Sequence, residues 1–343
     1  MQYLVRASNQ DLLTVGVISQ KIIQSNPILE ALGNAKTLRN DNSSRFGKLI
    51  RINFGRDASI QGAEISTYLL EKSRVVKQPE GERNFHIFYQ LIGGLSDDER
   101  QRICDDGMVD CQFHYINGTY SHDDLNNFNE TKSALSSMGI SEECQIALFK
   151  YLYALLYLGN IEFEKLDDDK CQVSNNGALT IACKLLEVDE SSLEQTLVSR
   201  TITTGNENIV VPLRVDQAES CRDSLAMMLY GRLFEWIVKK INENLMSELT
   251  TTLAISILDI YGFEDFKIND FEQFCINWAN EKLQQQFYNY LFKLAKQEYQ
   301  QEGVDWSDIQ FKDNQDCLDL IEKLPLCIVK LIDEECSLAK GNP

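Results

Sequence analysis

The stretch "NDNSSRFGK", Asn40 to Lys48, gathers seven polar side chains into nine residues. Ser43 and Ser44 offer hydroxyl oxygens to a metal ion or to an attacking water. Asn40 and Asn42 offer amide donors to phosphate oxygens. Arg45 is a planar, permanently charged fork that can pair bidentately with a carboxylate. A second group lies far downstream in "DIYGFEDF", Asp259 to Phe266. Asp259 closes an apolar run, a position from which an acid holds Mg²⁺ directly or through water in phosphoryl-transfer sites. Gly262 has no side chain to keep a phosphate oxygen from its backbone N–H. Glu264 follows as an acid that a cation from another loop, Arg45 above all, can meet. Each stretch also has an ordinary reading: a solvated turn for the first, a strand and turn for the second. On that reading Asp259 is a helix cap and an Arg45–Glu264 pair is surface charge worth under ~1 kcal/mol. Their value lies in occurring together, in order, with a long helix after the second.

The elements around them are predicted as follows. "LAISILDI", Leu253 to Ile260, is nearly all apolar and rich in β-branched residues, which suits a strand covered on both faces in a parallel α/β sheet. The segment from Ile268 to Gly303 reads as one long helix. Asn269 caps it with Glu272 three residues on, Phe271, Phe274 and Trp278 open its apolar stripe, and Gly303 ends it. A buried strand ending in Asp, a glycine-containing loop and a long helix is where α/β folds place ligands. Upstream, the chain from Gln2 to Leu32 reads as helices, with Asn26-Pro27 restarting one at proline. "KLIRINFGRDASI" puts Ile50, Ile52 and Phe54 on one face and Arg51 and Asn53 on the other, with a turn at Gly55-Arg56-Asp57, hence a hairpin. "GERNFHIFYQLIGG" and "EECQIALFKYLYALLYLGN" read as helices closed by glycine, and an amphipathic helix runs from about Asp216 to Met246.

Composition bounds the class. The chain has 343 residues, 43% hydrophobic and 25% charged with five prolines, an ordinary globular balance with enough chain for a large core. No apolar run reaches the ~18–20 residues of a membrane span, and the opening "MQYLVRASNQ" has no signal-peptide pattern, so a cytosolic location is expected. Ten cysteines are scattered singly, without CxxC or zinc spacing, which predicts reduced thiols. A net charge of −19 without a segregated basic patch argues against a nucleic-acid partner.

With these motifs in place, the chain resembles the myosin motor domain over nearly its whole length, the acidic stretches around 98–135 and 164–190 matching weakly. "NDNSSRFGK" is similar to switch I and "DIYGFEDF" to switch II. "FEQFCINWANEKLQQQF" looks like the relay helix and "DWSDIQFKDN" like the relay loop. "YLLEKSRVV", "GERNFHIFYQLIGG" and "RDSLAMMLYGRLFEWIVKKIN" follow the family's pattern as well. The resemblance implies an α/β, P-loop NTPase-like core with a mixed central sheet and long helices. It implies helices, switch I and a first hairpin in 1–62, a mostly helical upper actin-binding subdomain in 63–250, and in 251–343 the switch II strand, relay helix and loop, and the start of the lower actin-binding subdomain.

For the site, the resemblance implies ATP and Mg²⁺ as ligands: Asn40 at the phosphates, Ser44 as a direct Mg²⁺ ligand, and Ser43 beside the γ-phosphate and the attacking water. It further implies Gly262 at the γ-phosphate through its amide, Asp259 reaching Mg²⁺ through water, and Arg45 in a gating pair with Glu264. Trp306 would pass switch II movement towards a lever arm. "SRTITTGNENIVVPL" is similar to an actin-contacting loop, with Glu207 at the position where the family carries an acid or a phosphorylatable residue. The implied function is part of an actin-based motor on the cytoskeleton. Light chains or calmodulin would bind only through regions outside these residues.

The chain also departs from the family. Gly-x-x-x-x-Gly-Lys-Ser/Thr occurs nowhere in it, and the resemblance places Met1 within the helix that follows that loop. The other end stops inside the lower actin-binding region, with Cys327 and Ala339 where the family has glycine and proline. The expectation is therefore a segment truncated at both ends, with no ATP turnover by itself. The alternative is a non-catalytic fragment that acts only by binding.

Overall fold

The computed structural model describes residues 17–103, 112–174, 177–204, 207–246, 253–304 and 313–337, and the chain divides into two compact units, Met1–Ile260 and Tyr261–Pro343.

In the first unit, α1 (Val17–Gln24) and α2 (Asn26–Gly33) meet where Asn26-Pro27 predicts a restart. The short strands β1 (Asn34–Ala35) and β2 (Ser43–Ser44) pair antiparallel, Asn34 opposite Ser44 and Ala35 opposite Ser43, which closes the polar loop at its base. β3 (Gly47–Phe54) and β4 (Ile60–Tyr68) form the expected hairpin. Ile50, Ile52 and Phe54 are buried while Arg51 is exposed, and Gly55 N–H donates to the Ser59 carbonyl across the turn at 2.9 Å. The helices α3 (His86–Gly94), α4 (Asp97–Ile103), α5 (His122–Ser137) and α6 (Glu142–Gly159) follow. Ser121 and Asp124 cap α5 reciprocally and Ser141 caps α6, as the orphan N–H groups of a helix start require. Next come the hairpin β5 (Phe163–Asp167) and β6 (Lys170–Val173), the helices α7 (Ala178–Leu186) and α8 (Glu190–Val198), and the hairpin β7 (Ser199–Thr204) and β8 (Glu207–Pro212).

The beam of this unit is α9 (Val215–Leu245), 31 residues long. Among its buried residues, Ala218, Arg222, Ala226, Tyr230, Phe234, Ile237, Ile241 and Leu245 recur every three or four positions, with Gly231, Leu233 and Val238 widening the stripe they form along the helix. Through this stripe α9 grips the site's scaffold. The Tyr230 hydroxyl donates to the Leu32 carbonyl at 2.6 Å, and its ring stacks on Phe85 at 4.9 Å. The Phe234 ring meets Phe46 edge-on at 5.0 Å. The Asn242 amide bonds both the N–H and the carbonyl of Ile65 in β4, each at 2.8 Å.

β9 (Leu253–Asp259) completes a three-stranded sheet of order β4-β3-β9. Here the structure corrects the expectation of a strand covered on both faces in a parallel sheet. β9 pairs antiparallel with β3 and lies at the sheet's edge, and Leu253 and Ile255 are 68% and 44% exposed. A continuous apolar run records hydrophobicity and β-propensity, not what covers the strand. All strand pairings among the described residues are antiparallel, so the fold is one of helices with small antiparallel sheets.

In the second unit, α10 (Phe271–Tyr288) runs into a π-helical turn, Asn289–Leu294, and continues as α11 (Ala295–Gln301). The helix cap falls one residue later than expected. Asp270 and Gln273 form the reciprocal pair, with Asp270 N–H donating to Gln273 Oε1 at 2.9 Å. Asn269 is used instead to clamp both the N–H and the carbonyl of Phe266, each at 2.9 Å. Adjacent Asn and Asp are equally good caps, and the loop's own hydrogen bonds decide between them. Phe271, Phe274 and Trp278 contact one another in succession at 6.2 and 6.3 Å between ring centres. Gly303, at φ +75°, ends the helix, and Val304 N–H returns to the Tyr299 carbonyl at 2.8 Å. α12 (Gln315–Glu322) and α13 (Ile328–Ser337) follow, with Cys327 buried between them. Among the described residues no helix is long and apolar enough to cross a membrane.

Candidate functional site

The polar loop is built on a close approach. An added Cβ at Gly33 would lie 2.3 Å from the Phe46 ring, so the absence of a side chain there is what lets Phe46 seat against the end of α2. Arg45 N–H donates to the Gly33 carbonyl at 2.8 Å. The loop's start is fixed by Thr37, whose N–H and hydroxyl both donate to the Asn40 carbonyl, while its hydroxyl accepts from Asn40 N–H. Asn40 Oδ1 accepts Asn42 N–H at 2.9 Å, an Asx turn. The donor end of the exposed Asn40 amide is thus the end that a phosphate oxygen can use. Asn42 also ties the loop to its neighbours. Its Oδ1 accepts from Asn34 Nδ2 at 3.0 Å and lies 3.1 Å from His86 Nε2, and its Nδ2 donates to Glu30 at 3.1 Å. Asn42 braces the loop through these bonds. Because Oδ1 only accepts, His86 carries its proton on Nε2. Burial, reinforced by the charge of Arg83, pushes His86 down to about 4.

Ser43 and Ser44 are half-buried. The Ser43 hydroxyl accepts from Arg45 Nη1 at 3.3 Å, and the Ser44 hydroxyl donates to the Phe46 carbonyl at 2.9 Å, which leaves its oxygen lone pairs available to a cation. Arg45 is only 2% exposed. Its Nε donates to Glu71 at 2.7 Å, Arg74 Nε donates to the same Glu71 oxygen at 2.6 Å, and Arg74 Nη2 reaches Glu82 at 2.9 Å. Burial raises the Glu71 carboxyl, but the charges of Arg74 and Arg45 outweigh it and hold Glu71 below the usual glutamate range.

Asp259 comes to the same end of the sheet. The β3–β9 register places Asp259 opposite Lys48, and the Lys48 ammonium meets its carboxylate at 3.1 Å. Two motifs far apart in sequence therefore converge: the loop ends where β3 begins, and β9 ends beside it. Half-exposed as it is, that ion pair contributes under ~1 kcal/mol to stability.

Gly262 and Glu264 belong to the second unit. A Cβ built on Gly262 meets no described atom within 4 Å, so packing does not explain the glycine. Glu264 is gripped by α10. Asn277 accepts Glu264 N–H and donates to its carbonyl, both at 2.8 Å, Gln273 donates to its Oε2 at 3.3 Å, and Asn280 donates to the Tyr261 carbonyl at 3.1 Å. The loop after β9 is thus hydrogen-bonded as backbone to the helix that follows it. Trp306 lies outside the described residues, as does Ala339. Glu207 begins β8, opposite Thr204.

Residue typing found the loop side chains but passed over their supports, Glu71, Arg74, Glu82, Asn277 and Asn280. A signal exists for some of them. Glu71 and Arg74, and likewise Asn277 and Asn280, stand three apart, the spacing of one helical face.

The oxygen donors suit one kind of metal. Among the described residues no group of three or more His, Cys, Asp or Glu converges. Two hydroxyls and one carboxylate are a sparse, hard set, which fits Mg²⁺ because that ion keeps waters and substrate phosphates in its shell.

The chain is 45% identical over 344 residues to the Myosin-I heavy chain of Dictyostelium discoideum, a match covering 98% of this chain and 14% of that protein. It is 48% identical over 351 residues to Protein OPAQUE1 of Zea mays, covering 100% and 23%. It is 47% identical over 335 residues to Myosin-4 of Saccharomyces cerevisiae, covering 95% and 23%. The chain thus spans less than a quarter of the length of these three relatives. The family profile described as "Myosin head (motor domain)" matches residues 1–343, and the chain belongs to that family.

Proposed function

We propose that this chain is part of an actin-based motor that couples binding and hydrolysis of Mg-ATP to movement along filaments. The observation that supports it best is the Lys48–Asp259 pairing, in which the strand that follows the serine loop and the acid at the end of β9 meet at one end of the sheet. On this reading the core is P-loop NTPase-like, with the phosphate-cradling loop supplied by sequence other than these residues. Asn40 donates to a phosphate. Ser44 binds Mg²⁺ directly and Asp259 through water, and the ion, when bound, neutralises phosphate charge. Ser43 orients the water, whose oxygen attacks the γ-phosphorus in line as the bond to the ADP oxygen breaks. Gly262 N–H binds the γ-phosphate, and Arg45 pairs with Glu264 to shut the site. Positioning and electrostatics supply most of the catalysis. Closure draws on the Asn277 and Asn280 bonds to pull α10, with Trp306 passing the shift onward. Glu207, being acidic, serves actin contact without phosphorylation.

The test is Glu264→Ala in a motor-length protein that contains these residues. ATP binding should persist while single-turnover hydrolysis falls by tenfold or more. Wild-type hydrolysis in that variant would sink the gate, and Mg-ATPase from the 343-residue chain alone, abolished by the same change, would overturn the need for a separate phosphate cradle.

A further inference from the structure

Arg45 is held by more than its loop. Glu71 grips residue 45 twice: its N–H donates to the Arg45 carbonyl at 3.0 Å, and its Oε2 accepts Arg45 Nε at 2.7 Å. The chain of charges continues through Arg74, whose Nη1 donates to the Arg83 carbonyl at 3.1 Å, to Glu82. Glu82 Oε1 in turn accepts the Leu38 N–H at 3.4 Å. Cation and anion alternate, Arg45–Glu71–Arg74–Glu82, with side chains 2%, 10%, 2% and 3% exposed. The two ends of the polar loop, Leu38 and Arg45, are thereby tied to one buried, charge-balanced row.

Such a row is a poor device for stability alone, since apolar residues of similar volume often serve as well. It is a good device for fixing a guanidinium, because the two arginines converge on a single Glu71 oxygen. Without that carboxylate, the two guanidiniums lose the oxygen they share, and the Nε contact that orients Arg45 is gone.

We propose that Glu71 is a positioning residue for Arg45: it aims the guanidinium at the place from which the site is closed. The inference rests on the reading of Arg45 as the gate cation. Glu71→Gln preserves shape but turns an N–H pair towards one of two guanidiniums that also only donate. Glu71→Asp keeps the charge balance but withdraws the oxygen by one methylene, so Arg45 is re-aimed in a protein that still folds.

The experiment uses the motor-length protein, with equilibrium binding of a fluorescent ATP analogue and single-turnover hydrolysis measured for Glu71→Gln, Glu71→Asp, Arg45→Ala and the double variant Arg45→Ala/Glu71→Gln. Expected are nucleotide affinities within about threefold of wild type, hydrolysis at least tenfold slower for Glu71→Gln and severalfold slower for Glu71→Asp. The double variant should be no slower than Arg45→Ala, because the proposal routes the effect of Glu71 on hydrolysis through Arg45, its contact with Arg74 serving only to hold the row. Wild-type hydrolysis in Glu71→Asp overturns the proposal, whether or not the Gln variant folds. So does a parallel fall in affinity and hydrolysis, which marks a merely structural role, and so does additivity in the double variant. Wild-type hydrolysis in Arg45→Ala would overturn the gate reading itself, a separate result.

Discussion

Replacing Gly33 by alanine sets two physical effects against each other. Gly33 is the last residue of α2, and helix propensity alone favours alanine there by up to about 1 kcal/mol. Packing says the reverse. The added methyl would sit 2.3 and 2.4 Å from two Phe46 ring carbons and 3.3 Å from the Phe234 ring, against the ~3.5–4.0 Å of an ordinary carbon contact. The Phe46 ring has to retreat by more than ~1 Å. It is 1% exposed and already edge-on to Phe234 at 5.0 Å, so there is no slack to absorb the move. Overpacking of this kind costs ~1–3 kcal/mol, which exceeds the propensity gain. Urea unfolding followed by circular dichroism should show a lower midpoint for Gly33→Ala at unchanged slope. In a Phe46→Leu background the methyl should cost far less, because the clashing ring edge is gone. A Gly33→Ala midpoint equal to or above wild type, or costs that simply add in the double variant, would refute the packing argument.

Two further outcomes are expected. His86 is held near 4 against an ordinary 6.5, so the unfolded chain takes up its proton first as pH falls. That contribution to stability is complete above about 6.5 and is lost progressively towards 4. The difference in unfolding midpoint between wild type and His86→Gln should therefore shrink across that window, and a difference independent of pH would show that His86 is not held neutral. In the motor-length protein, Glu207→Ala should weaken actin activation of ATP turnover, and unchanged activation would remove Glu207 from the actin contact.

What the sequence made legible has a physical pattern. The hairpin from Gly47 to Tyr68, the restart at Asn26-Pro27, the long α9 and the end at Gly303 all follow from local rules, alternation, proline, period and left-handed glycine. The place of Asp259 after an apolar run makes it a candidate in the sequence, but its partner Lys48 depends on strand register, which no local rule supplies. Asn42 reads as a phosphate donor by type, and its ties to Asn34, Glu30 and His86 are a further feature that type alone does not supply. The antiparallel pairing of β9 is not legible in its residues, because apolar composition is silent on neighbours. Glu71 was hidden for a related reason: a glutamate beside lysine and serine reads as surface until the fold buries it between two arginines.

The π-helical turn at Asn289–Leu294 sets the two ends of this helix at different angles about its axis. Each residue of an α-helix turns the chain by about 100°, and a wide turn takes in one residue more. The side chains of Ala295–Gln301 are therefore rotated by roughly a quarter circle or more from the phase that Phe271–Tyr288 sets. The two halves of this rod are indexed separately. Rewinding the wide turn to ordinary pitch would swing the far half about the axis while adding only ~1.5 Å of reach. The helix stores an angle as well as a length.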